Sequence, residues 1–534
     1  MVRSPDSVRP PGFACAGSLP DPTASSQKRM QIMRFSQALA ACLLALLVGA
    51  NAWARDGSAS ERWADRTVAD LADVHAKIAE HTPAAVDTEN PSMQAWHTEG
   101  YQLALERAGR VQSEADWRFV LQAFVNGYGD PHLKFHAGDA APVLRYPGFV
   151  LRKSGEGAVV NWRHPTLADG PSVGARLLSC DGKSLDQLLT SQVYAYRLNP
   201  RILGDERPAM VDILLDRGVF FAPPVARCTF SDVADYALEW RVIGEEDQSV
   251  RDQIRLGGYG PRAAAGLSEP APGVFWIGLP SFAPLGDSAA AVDAARAAFQ
   301  SRGAALRNGR AIVVDLRGNT GGTSVQGEML AEAFWGRDAI ASAERQRLSR
   351  SQPVGVDWRA SRSNADYVGT GSLLLRLRYP GRSIGTTWAK VIAPGLRAAV
   401  RSGQPFFREG ADNAVATTAP AGPLSARRIR GPSPFPATVY VLTNGTCASA
   451  CLDFADIALN MSGVVHIGAE TGADGLLMEV RSMDLKSGRG SLSLPIKVVR
   501  GRARGNLESY TPDVSFDGPW SDEAVRAWVL SLAP

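Results

Sequence analysis

Apolar positions recur at spacings of three and four between Ser58 and about Val125, first Leu71, Val74, His75 and Ile78, then more loosely Trp117, Phe119, Leu121, Phe124 and Val125. That period predicts helices. The pattern stops at Gly127-Tyr128-Gly129-Asp130-Pro131, where two glycines and a proline impose a turn, and polar Asp130, His132, Lys134 and His136 follow. From Tyr146 to about Ile243 the chain changes to short runs, Phe149-Val150-Leu151, Ala158-Val159-Val160 and Arg176-Leu177-Leu178, separated by Gly and Asp turns. This predicts a small β-rich module. Beyond about Gly273, Val274 to Ile277, Ala311 to Val314 and Thr438 to Leu442 read as buried strands. Ala289 to Phe299 and about Ala448 to Asn460 read as helices. Strands alternating with helices predict α/β architecture with a largely parallel sheet. Residues 411 to 436, rich in Pro, Ala, Gly and Arg, lack periodicity and read as a surface loop.

At 534 residues, with 45% hydrophobic and 21% charged residues, the chain has room for roughly three domains and is neither disordered nor a disulfide scaffold. Lys28, Arg29 and Arg34 precede an apolar run from Ala38 to Ala50, and Ala50-Asn51-Ala52 and Ala52-Trp53-Ala54 follow. These are the parts of a secretory signal, and the run is shorter than the ~20 residues that span a bilayer. Residues 1 to 29 lie ahead of Met30 and Met33 and are expected to be upstream of the true start. A lipoprotein box at Leu39-Ala40-Ala41-Cys42 would stand at the wrong end of the run. Soluble export, periplasmic or secreted, with no stable membrane anchor, is the expectation. Removing residues 1 to 54 leaves 52 basic and 52 acidic residues, so nothing in the charge draws a nucleic acid.

Cys180, Cys228, Cys447 and Cys451 survive that cleavage. An oxidising compartment permits disulfides, and three pairings are open. No CxxC with a histidine partner is present, so no zinc site and no other cofactor is expected.

Tyr146-Pro147-Gly148-Phe149-Val150 and the stretch from Gly174 to Leu185, with its Asp181-Gly182 turn, resemble a PDZ domain of the circularly permuted bacterial kind. The resemblance implies a peptide carboxylate held at Gly148 and Phe149, with an open strand edge beside them. Two strand-to-turn junctions stand out in the later sheet, because ligands of α/β sheets bind beyond the carboxyl ends of strands. One is Asp315-Leu316-Arg317-Gly318-Asn319-Thr320-Gly321-Gly322, whose paired glycines bring backbone donors close to an oxyanion. The other is Asn444-Gly445-Thr446-Cys447-Ala448-Ser449-Ala450, a turn with a hydroxyl at a helix start, where serine is also a favoured N-cap.

In this order the motifs resemble those of the C-terminal processing (tail-specific) serine peptidases and the related tricorn core peptidases, over roughly Asp130 to Asp517. The resemblance implies domains at 55–140 (helical), 141–250 (PDZ-like) and 260–534 (an α/β, ClpP/crotonase-like peptidase core), after a leader at 1–54. It implies Ser449 as nucleophile, with Gly321 or Gly322 and Ala450 as the oxyanion hole. The tail-specific branch uses a lysine in a Gly-Lys-Gly turn as base, but Thr471-Gly472-Ala473-Asp474-Gly475 carries Asp474 there. A carboxylate with pKa near ~4 is a feeble base for serine. The tricorn-like branch uses a histidine ahead of its PDZ-like module, which points to His132, supported by a later glutamate, Glu508. Asp130, Asp453 and Asp474 compete with Glu508 for that supporting role. Cys447 and Cys451, at a spacing of four, suit a local disulfide or burial better than a thiol nucleophile. The expected activity is hydrolysis of protein tails or peptides. A peptide-binding protein that has lost hydrolysis is the alternative.

Overall fold

The structure, a computed structural model, describes residues 59–138, 142–155, 157–348, 354–410, 436–502 and 504–533. The expected leader at 1–54, and the loop at 411–436 but for its last residue, lie outside them.

Three helices, Ala59–His81, Pro91–Ala108 and Glu114–Asn126, occupy the stretch of helical period. Ser113 starts the third, its Oγ accepting the Asp116 N–H at 3.2 Å. Their shared face buries Leu71, Val74, Ile78, Trp117, Val120 and Phe124. Trp117 donates Nε1 to Asp70 at 2.9 Å and meets Phe135 edge-on at 5.4 Å. Phe135 lies on strand Lys134–Ala137, which pairs antiparallel with the distant strand Gly490–Arg500. That strand also pairs with Leu477–Asp484 and Gly355–Arg359, and Phe406–Gly410 completes a five-stranded sheet. Leu477, Leu492, Leu494 and Val498 therefore share one core with the N-terminal helices, and residues from Ala59 onward form one compact unit.

Within 141–250, strands Phe149–Ser154 and Gly157–Arg163 form one hairpin. A second sheet runs Lys183–Ser184, Leu177–Cys180, Arg227–Phe230, Tyr236–Ala237. Asp181 and Gly182 both take positive φ at the expected turn. Ser184 forms a capping box with Gln187 and starts the short helix Leu185–Leu188. Cys180 is bonded to Cys228 across neighbouring strands, and Cys447 to Cys451.

The α/β part is a six-stranded sheet. Gly266–Ala271 runs antiparallel to Val274–Gly278, and Ala311–Asp315, Thr438–Thr443, Val464–Gly468 and Val514–Ser515 follow in parallel. Alternate residues face two cores, which is why the strands read as unbroken apolar runs. Ile312, Val314, Val439 and Val441 pack with Phe299, Leu330 and Phe454 from helices Gly286–Arg307, Ser324–Trp335 and Ala450–Ala458. Val313, Tyr440 and Leu442 pack with Phe516, Trp520, Val525 and Val529, the last two on helix Asp522–Leu532. Among the described residues no helix is long and apolar enough to cross a membrane.

Because one core joins the first helices to the late hairpin, Leu494→Ala should cost about 2–5 kcal/mol. Helices and hairpin should then lose hydrogen-exchange protection together. A helical region that keeps its protection after the hairpin has lost its own would contradict the shared core.

Candidate active site

Parallel pairing of Ala311–Asp315 with Thr438–Thr443 sets the two strand-to-turn motifs side by side at the carboxyl end of the sheet. Buried Asp315 closes the first strand. It holds Arg317 in a two-pronged ion pair, at 2.7 and 2.9 Å, and accepts Trp276 Nε1 at 3.1 Å. Asn319 shapes the turn beyond, donating to the Leu279 carbonyl at 2.8 Å and accepting the Gly321 N–H at 2.9 Å. The Gly318 N–H crosses to Thr446 Oγ1 at 2.9 Å and so ties one turn to the other.

Gly321, at φ 101°, lies directly on the Ser449 turn: a Cβ there would stand 2.7 Å from Ser449 Cβ and 3.0 Å from Ala450 N. Gly322, at φ 140°, is pressed onto the Phe282 backbone. The Gly321 N–H is spent on Asn319. The N–H groups of Gly322 and Ala450 donate to no described residue.

Ser449 has φ 57° and ψ −129°, a strained conformation for a residue with a side chain. It stands between the strand's end and helix Ala450–Ala458, so the helix begins just after it, two residues later than the apolar pattern suggests. Its Oγ makes no hydrogen bond to a described residue, so it does not cap the helix. Its N–H donates to Asp474 Oδ1 at 2.7 Å. The Cys447–Cys451 disulfide brackets this turn.

His132 arrives from the other end of the chain. Its loop is anchored by Asp130, which accepts the His132 N–H at 2.9 Å on one oxygen and the Leu477 N–H at 2.9 Å on the other. Gly475 permits this approach, since a Cβ there would collide with the Asp130 carboxylate. The ring is 10% exposed, with Nδ1 3.7 Å from Asp130 Oδ1 and Nε2 3.8 Å from Asp474 Oδ1. Both are ion-pair rather than hydrogen-bond distances, and Nδ1 has no hydrogen-bond partner.

Burial pushes the imidazole pKa down, but Asp130 and Asp474 outweigh it and hold the value above 6.5. Burial likewise pushes the Asp474 carboxyl up. Arg504, then His132 and Arg502, reverse this and keep it far below the usual carboxylate range. Arg504 is fully buried and meets Asp474 at 2.7 Å. Asp453 behaves differently, because burial raises its pKa despite Arg504 nearby.

Ser449, His132, Asp474, Thr320 and Gly322 line one cleft of about 620 Å³. Its other wall includes Tyr196, Leu198, Asn199 and Ile202 from the β-rich module and Tyr259 from the connection to the sheet. Asn199 donates to the Gly129 carbonyl at 3.2 Å, and a Cβ at Gly204 would stand 2.5 Å from the Thr471 carbonyl oxygen. Glu508 does not line the cleft. Its carboxylate accepts the Gly505 N–H at 2.9 Å, while Asp130 and Asp474 each bring a carboxylate oxygen within 4 Å of the His132 ring. The physical reason is local: Asp130 and Asp474 belong to the two loops that carry the imidazole and the serine turn together.

Gly148, at φ 86°, makes the expected turn, its carbonyl accepting the His164 N–H at 2.8 Å. Phe149 is buried in the module's core, edge-on to Phe230 at 5.5 Å, so a ligand there would meet backbone only. His466 is buried between Thr443 Oγ1 and the Thr511 carbonyl, away from the cleft. Among the described residues no group of His, Cys, Asp and Glu is arranged to hold a metal. Sequence reasoning missed Arg504 and Tyr259, which carry no motif.

Residues 274–516 match the model of peptidase family S41. In fold the chain is similar to mature CPAF, at 13% identity and a TM-score of 0.51, over 88% of this chain and 96% of that one. It is similar also to mature CPAF complexed with lactacystin, at 14% identity and 0.50, over 88% and 97%. For the photosystem II D1 C-terminal processing protease the identity is 14% and the TM-score 0.26, over 85% and 93%. No curated protein sequence matches the chain. Over that matched core the chain is similar to the S41 peptidases, a family of serine-type peptidases.

Proposed function

We propose that the protein is an exported endopeptidase in which Ser449 attacks the scissile carbonyl, His132 takes and returns the proton, and the N–H groups of Gly322 and Ala450 receive the oxyanion. The observation that carries this reading is that Ser449, on a strained turn at a helix start, and His132 open on the same cleft. A serine hydroxyl needs an unprotonated base whose pKa lies near working pH, and an imidazole is one where a guanidinium-bound carboxylate of far lower pKa is not. The two N–H groups stand on opposite turns, where a tetrahedral oxyanion between them would be bound from both sides. The β-rich module supplies the wall through which a peptide tail would be presented. Export to the periplasm or beyond rests on the signal-like pattern ahead of Arg55 and on the two disulfides.

A serine-directed phosphonate should label the protein at Ser449, and both Ser449→Ala and His132→Ala should abolish labelling and peptide cleavage. Gly321→Ala, which forces a methyl against Ser449 and Ala450, should cut the labelling rate roughly 10²-fold. The sign of the pH dependence follows from the imidazole. Only its neutral form accepts the proton, and its pKa lies above 6.5, so kcat/KM should be low in acid and rise through a limb above that value. A profile flat from pH 5 to 8, or a limb below pH 6, would remove His132 from the role.

A further inference from the structure

Asp474 stands where the resemblance to the tail-specific enzymes would place a lysine base, and the geometry around it gives it a different task. Resting on the Ser/His reading above, we propose that Asp474 and Arg504 form a positioning pair: Asp474 fixes the Ser449 turn and the His132 ring with one oxygen, and Arg504 sets the site through Asp474 without touching either.

The two carboxylate oxygens are divided between separate duties. Oδ1 accepts the Ser449 N–H at 2.7 Å and faces His132 Nε2 at 3.8 Å. Oδ2 takes Arg504 Nη1 at 2.7 Å, with Arg502 Nη1 at 3.8 Å. The positive φ of Ser449 turns its N–H inward, where an unpaired donor would be costly, and the carboxylate meets it with a charge-assisted bond. A carboxylate occupied in this way, and kept ionised by a buried guanidinium, is not a proton acceptor for the serine. It is instead a fixed negative charge beside the nitrogen that must gain a proton during attack.

Arg504 extends the same control to the rest of the site. Its other nitrogens reach Asp453 Oδ1 at 3.2 Å and both oxygens of Asp456 at 3.2 and 3.3 Å, on the helix that begins after Ser449. Asp453 also accepts Ser324 Oγ at 2.6 Å, and Ser324 opens the helix that follows the glycine pair. Asp456 accepts Tyr510 OH at 2.7 Å. One buried guanidinium thus binds the helix behind the nucleophile and the Asp474 loop directly, and the helix behind the oxyanion turn through Asp453. Loss of either partner from such a buried network leaves the other charge uncompensated.

The test is the pH profile of Ser449 labelling by the phosphonate in Asp474→Asn and Arg504→Met proteins. Asp474→Asn keeps a carbonyl oxygen for the Ser449 N–H but removes the charge facing His132. Labelling should persist, and its midpoint should fall by about one pH unit or more. Arg504→Met should lower the labelling rate more than tenfold across the whole profile, and Arg504→Lys, which keeps the charge without the fork, should recover part of it. If Arg504→Met does not fold, Asp474→Asn alone decides. A purely structural role for Asp474 would change the labelling rate without moving the midpoint, so an unchanged midpoint overturns this inference alone. Absence of labelling in the parent enzyme overturns the peptidase reading and this inference with it.

Discussion

Two turns that leave neighbouring parallel strands meet here with no room for a methyl group between them. Gly321 lies so close to Ser449 that any larger residue would drive the turns apart, and the bond from the Gly318 N–H to Thr446 closes the same seam. Parallel register makes the contact possible, since both strands end at the same level of the sheet. The strain in Ser449 is held by its surroundings: a helix on one side, a glycine pair on the other, and a carboxylate on its N–H.

The remaining parts solve an electrostatic problem. His132, Asp130, Asp474, Asp453, Arg502 and Arg504 are charged or titratable groups held largely away from water. A single carboxylate beside the serine would be pushed toward its neutral form by burial. Arg504 prevents this, and the ionised carboxylate then favours the protonated imidazole. An acid and a guanidinium from the late part of the chain thus meet an imidazole from its early part beside the Ser449 turn. The shared core between the first helices and the late hairpin brings the His132 loop to the sheet, because the strand just after His132 belongs to that hairpin's sheet.

What could be read from the sequence follows from how evenly each segment is buried. The strands Ala311–Asp315 and Thr438–Thr443 are covered on both faces and so appear as unbroken apolar runs. The Ser449 turn was legible because small residues crowd it, and His132 only through family resemblance and its position. The hairpin Leu477–Asp484 and Gly490–Arg500 escaped notice because charged and apolar residues mix on both of its faces, Arg481 standing opposite Leu494 and Lys497 opposite Met478, which blurs the alternation. Helix Arg362–Arg378 was hidden by Gly369 and Gly371 within it. Arg504 was invisible for a more basic reason. In Arg500-Gly501-Arg502-Ala503-Arg504 it resembles a solvated basic stretch, yet Arg500 and Arg504 are buried against carboxylates from far away. Glu508 was legible as an acid near the end of the chain, but distance along a sequence does not say which loop faces an imidazole.

The central claim, that one imidazole and two opposed N–H groups act on Ser449, is tested most directly by a crystal structure of the protein with a peptidyl phosphonate bonded to Ser449 Oγ. The account predicts a phosphoryl oxygen accepting from the N–H groups of both Gly322 and Ala450, with His132 Nε2 within hydrogen-bond reach of the adduct and Asp474 still bound to Arg504. An adduct whose oxygen points away from the two turns, or one in which His132 stays remote and another side chain faces the reacting atoms, would contradict it.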